Sequence, residues 1–137
     1  MKALIFFIGW FCCNIGFAQK LHLCFKSTDS TFMEDPLKLS FNVIDKDWAN
    51  GFVQYKGQKD GILLSFALEK VLEKKDSLPP KIEYSFNEIK DGKVSGKYFI
   101  AITGSKVDYF YYYDKKRKST INFEQDFSAG EQCGCDW

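Results

Sequence analysis

Four short runs of alternating side chains between Lys81 and Phe127, joined by tight turns, restrict this chain more than any other feature. Ile82, Tyr84 and Phe86 alternate with Glu83, Ser85 and Asn87. A period of two places the three large side chains on one face of a strand. Asp91-Gly92 follows, a pair that suits a two-residue hairpin because both residues accept positive φ. The chain returns through Tyr98, Ile100 and Ile102, turns at Thr103-Gly104-Ser105-Lys106, and runs on through Val107, Tyr109, Tyr111 and Tyr113 as one face of a third strand. Asp114 to Lys118 is wholly charged and predicts a solvated loop. Ile121, Phe123 and Phe127 predict a last strand, with a slip in phase near Gln125 that marks a bulge or the strand's end. Connections this short force antiparallel pairing, because a parallel crossover needs about a dozen residues.

The earlier chain continues the theme. Leu21, Leu23 and Phe25 alternate with His22, Cys24 and Lys26, and Leu37, Leu39, Phe41 and Val43 with Lys38, Ser40 and Asn42. Asn50-Gly51 predicts a turn, Phe52 to Lys56 a short strand, and Asp60-Gly61 a hairpin into Ile62, Leu64, Phe66 and Leu68. From Ala67 the spacing changes: Leu68, Val71, Leu72 and Lys75 recur at helical intervals, which predicts one or two helical turns between Leu68 and Lys75 ended by Pro79-Pro80. A strand running on to Lys70 is the alternative. About eight strands, with turns mostly every ten or so residues, predict an all-β antiparallel meander closed as a barrel or stacked as a sandwich.

The N-terminus reads as an export signal. Met1-Lys2 is followed by an almost wholly apolar run from Ala3 to Phe17, and Gly16-Phe17-Ala18 places small residues at the cleavage positions before Gln19. Residues 1–18 are expected to be a signal peptide and residues 19–137 one exported, periplasmic or extracellular domain with no transmembrane segment. Of the 137 residues, 137 less 18 leaves 119, enough for one domain with its own core. Cleavage removes Lys2 and no acidic residue, so 19 basic residues become 18 against 18 acidic ones. A neutral domain has no field to gather nucleic acid, and none is expected as a partner.

Little points to catalysis, and no enzyme is expected. His22 is the single histidine, and no G-x-S-x-G serine motif occurs. Asp45-x-Asp47 with Asn50-Gly51 misses the spacing of a calcium loop, and Lys56 stands where its bidentate glutamate belongs. Lys115-Lys116-Arg117-Lys118 reads as a solvated turn that discourages edge pairing, rather than as a phosphate site. The Tyr55-Lys56-Gly57 string, in a small exported β-domain with a disulfide, resembles the periplasmic lysozyme inhibitors of the C-type class. The serine-rich motif ahead of that string in those proteins is absent here, and no site residue is carried over.

Two binding readings remain. Aromatic residues make up 18% of the chain. Tyr84, Tyr98, Tyr109, Tyr111 and Tyr113 are the candidate lining of a site for a small apolar or sugar-like ligand, since tyrosine offers a flat apolar body with an orienting hydroxyl. The other use of Tyr109 to Tyr113 is a central strand covered on both faces. The second binding reading is a protein-interaction module, an inhibitor or envelope accessory protein, working through loops and an exposed sheet face. Cys24, Cys133 and Cys135 remain after cleavage, and an oxidising compartment predicts that Cys24 pairs with Cys133 or Cys135. His22-x-Cys24 with Cys133-Gly134-Cys135 also has the makings of a Cys₃His metal site. The disulfide is the reading taken, with no metal and no cofactor.

Overall fold

The computed structural model describes residues 21–28, 36–44, 50–76, 78–127 and 135. The expected signal peptide, the new N-terminus at Gln19 and Cys133 lie outside these residues.

Eight strands follow one another as β1 (Leu21–Ser27), β2 (Lys38–Val43), β3 (Asn50–Tyr55), β4 (Ile62–Glu73), β5 (Lys81–Lys90), β6 (Lys93–Thr103), β7 (Lys106–Asp114) and β8 (Ser119–Gln125). Each pairs antiparallel with its neighbours in sequence, and β8 returns to β1, so the sheet closes as a barrel. Closure is made by Phe25, Lys26 and Ser27 opposite Gln125, Glu124 and Phe123. It removes the two free edges that an open meander would expose.

The alternation read from the sequence decides what fills the barrel. Phe25, Leu39, Phe41, Val43, Val53, Phe86, Tyr98 and Ile100 are fully buried, and Leu64, Phe110, Tyr112 and Phe123 nearly so. Phe110 sits at the centre of the aromatic packing, 4.2 Å from the ring of Phe25, 5.3 Å from Phe41, 5.5 Å from Phe123 and 5.7 Å from Tyr98. An eight-stranded barrel is just wide enough for side chains to fill or to hold one small ligand. Here the middle is filled.

The Asp91-Gly92 hairpin forms as expected, with φ of 51° and 73° at its two residues. Gly51, expected in a turn, lies inside β3. A Cβ there would come within 2.5 Å of the carbonyl oxygen of Asn42 on β2, so only glycine permits this approach.

The helical turns expected over Leu68 to Lys75 do not form, and the described residues contain no helix. β4 runs on as a strand to Glu73, paired with β5, and its register shifts twice, between Phe66 and Leu68 and between Val71 and Glu73. Each shift inserts one unpaired residue, Ala67 and then Leu72. Two bulges so close together break the period of two and leave apolar residues at spacings that imitate a helix. Shifts also lie between β5 and β6, at Glu88 and Ile89, and between β6 and β7, where Ala101 faces Tyr109 but Ile102 faces Val107. Asp108 is the extra residue. Val107 therefore does not share a face with Tyr109, Tyr111 and Tyr113, and Phe110 and Tyr112 supply the core from β7.

Candidate functional site

The barrel interior differs at its two ends. The end carrying the β5–β6 and β7–β8 turns is polar. Glu88, in phase with Phe86 on β5, is only 2% exposed. Its Oε1 accepts hydrogen bonds from Ser95 Oγ at 2.6 Å and the Tyr112 hydroxyl at 3.0 Å, and its Oε2 accepts from the Tyr98 hydroxyl at 3.2 Å. The Tyr55 and Tyr98 hydroxyls lie 2.7 Å apart, which extends the network across the barrel. Burial pushes the Tyr55 phenol up to about 12, with the Glu88 charge adding to it. Tyr98 and Tyr112 are also raised, first by burial and then by neighbours that include Glu88. All three phenols stay protonated: Tyr98 and Tyr112 donate to the carboxylate, which is how a buried acid is kept satisfied, and Tyr55 pairs with the Tyr98 hydroxyl. Gly96 makes room for the arrangement: a Cβ there would fall 2.6 Å from Cζ of Tyr112. The basic turn beyond is exposed, and Asp114 Oδ1 accepts from the backbone amides of Lys116 and Arg117 at 2.9 and 3.0 Å.

The opposite end is apolar and open. The start of β1, the start of β5, the end of β6 and the start of β7 bring Leu21, Leu23, Ile82, Tyr84, Ile102 and Val107 around a cavity of about 360 Å³. Pro79 and Pro80 before β5, with Gly104 and Ser105 of the β6–β7 turn, form its rim. The Asp108 bulge is what turns Val107 into this cavity instead of out beside Tyr109. Among the described residues the lining carries no charged side chain, and its polar side-chain groups are the hydroxyls of Tyr84 and Ser105.

The five candidate tyrosines do not share one site. Tyr84 lines the open end, and its phenol is raised, chiefly by burial and then by the Glu69 charge. Tyr98 is core, with no exposed surface. Tyr109, Tyr111 and Tyr113 lie on the outer face of β7. There Tyr111 stacks on Phe99 at 4.7 Å, Tyr109 hydrogen-bonds to Glu83 beneath the Lys81 ammonium, and Tyr113 is 37% exposed. Burial and then interactions with Glu83 raise the Tyr109 and Tyr111 phenols.

Sequence reasoning missed two groups. Glu88 was legible as the next member of the Ile82, Tyr84, Phe86 face, an acid on an apolar phase. The aliphatic rim was legible only as core, because which strand ends meet at one mouth depends on the closed register.

On the outer face of β1, Cys24 is disulfide-bonded to Cys135, with their Cα atoms 5.8 Å apart. This ties the C-terminal segment to the first strand. The Cys24 backbone carbonyl also accepts from the amide of Asp126, at 2.8 Å.

No family model, curated protein or solved structure matches this chain.

Proposed function

We propose that this protein is an exported, non-catalytic barrel that holds one small apolar molecule in its open end. The observation that carries the reading is the cavity of about 360 Å³ walled by Leu21, Leu23, Ile82, Tyr84, Ile102 and Val107. Its size falls within the range of ligand pockets, roughly 300–1,000 Å³. A sugar ring needs several convergent hydrogen bonds, and two hydroxyls at the wall favour an apolar guest with at most one polar group. The non-catalytic reading is supported by the lining, which among the described residues offers no acid, base or thiol, while Glu88 lies at the other end, 2% exposed. The disulfide supports export, since such bonds persist in oxidising compartments.

A naphthalene-sulfonate dye, displaced by decanol, tests this. Val107→Trp and, on a second strand, Ile82→Trp each fill the cavity. Each is expected to weaken dye binding by about tenfold or more, equivalent to about 1.4 kcal/mol. Unchanged affinity in both folded variants contradicts the proposal.

The second reading, a protein-interaction module, is favoured by one observation: the row of Phe99, Tyr109, Tyr111 and Tyr113 on the outer face. Loss of dye binding on Tyr111→Ala, with the two tryptophan variants unaffected, moves the site there.

A further inference from the structure

His22 and Cys24 project from the same outer face of β1, two residues apart. The ligand atoms of His22, Cys24 and Cys135 all lie within 4.8 Å of one another, and His22 Nε2 is 3.9 Å from Cys24 Sγ. The imidazole is held from behind: His22 Nδ1 is hydrogen-bonded to Asn42 Oδ1. Asn42 is 1% exposed, and its Nδ2 donates to Ser40 Oγ at 3.1 Å and to the Phe52 carbonyl at 3.4 Å. That fixes the amide with its oxygen toward the ring. The oxygen can only accept, so His22 carries its proton on Nδ1 and presents the lone pair of Nε2 to the sulfurs. A metal-bound histidine is oriented in this way, by a hydrogen bond on its other nitrogen.

We propose that reduction of the Cys24–Cys135 disulfide converts this corner into a zinc site, with His22 Nε2, Cys24 Sγ and Cys135 Sγ as its ligands among the described residues. The step balances with a dithiol as reductant. The dithiol supplies two electrons and two protons and becomes a disulfide; the Cys24–Cys135 bond breaks and two thiols form. Zinc then displaces both thiol protons and binds two thiolates and one neutral imidazole. Sulfurs around a tetrahedral zinc are about 3.8 Å apart for Zn–S bonds of about 2.3 Å. Cα atoms 5.8 Å apart allow that separation with side-chain rotation alone. The disulfide and the metal are mutually exclusive, because a disulfide sulfur offers no thiolate. The C-terminal segment is therefore held to β1 covalently in the oxidised protein and by zinc in the reduced one. Imidazole with thiolates suits zinc over the hard cations, which take oxygen ligands.

The test is a zinc titration of the chain against a chromophoric chelator, with and without a phosphine reductant. The reduced protein is expected to bind one zinc per chain and release two protons; the oxidised protein is expected to bind none. His22→Gln and Cys24→Ser are each expected to weaken binding at least tenfold. Cobalt(II) in place of zinc should give thiolate charge-transfer absorption that Cys135→Ser diminishes. Circular dichroism checks that each variant keeps its strands, and His22→Gln, on the outer face, is the variant least dependent on folding. Absence of stoichiometric zinc in the reduced protein overturns the proposal. So does binding indifferent to His22→Gln.

Discussion

Phe110→Ala is expected to lower the free energy of unfolding by about 3–5 kcal/mol, the range for emptying a buried aromatic site. Phe110 is 1% exposed and touches four other rings, so no single neighbour can swing in to fill the space. The flanking outward residue is the control. Tyr113, 37% exposed on the same strand, should lose no more than about 0.5 kcal/mol on truncation. Urea denaturation of the two variants beside the parent measures both values. A Phe110→Ala variant that loses less than about 1 kcal/mol, while Tyr113→Ala loses several, would reverse the two faces of β7.

Removing the disulfide is expected to be as costly. Cys24 and Cys135 are 111 residues apart, and the chain-entropy model gives about 4–5 kcal/mol for a loop of that size, an upper figure. In a domain of this length that corresponds to a fall in melting temperature on the order of 20 °C. Cys24→Ser and Cys135→Ser should each show it in the absence of metal, and Cys133→Ser should not. Equal losses for Cys133→Ser and Cys135→Ser would mean that Cys24 has no fixed partner.

The part of the fold built from local rules was legible in the sequence. The period of two over Ile82 to Phe86 and the Asp91-Gly92 turn needed no distant information, and the antiparallel meander follows from short turns repeated, whereas its closure as a barrel rather than a sandwich depends on β8 meeting β1. What escaped was each place where a strand gains a residue against its partner. The extra residues Ala67 and Leu72 made β4 look helical beyond Leu68, though pairing with β5 holds it extended. The extra Asp108 moved Val107 to the inside and left Tyr109, Tyr111 and Tyr113 on the outside, which separates Val107 from the tyrosines that simple alternation would unite with it. Bulges answer to the twist and closure of the whole barrel, and single-strand patterns do not record them. The cysteine pair was legible as a choice between two partners. Selecting Cys135 needed the position of the tail beside β1.

The claim that the open end of the barrel holds a small apolar guest is tested most directly by methyl-resolved NMR during titration with decanol. The expected result is saturable shifts at the methyls of Leu21, Leu23, Ile82, Ile102 and Val107, fitting one molecule per chain, with the core methyls of Leu39, Val53 and Ile100 unmoved. No saturable shift at the mouth, or shifts confined to aromatic signals of Phe99, Tyr109, Tyr111 and Tyr113, would contradict it.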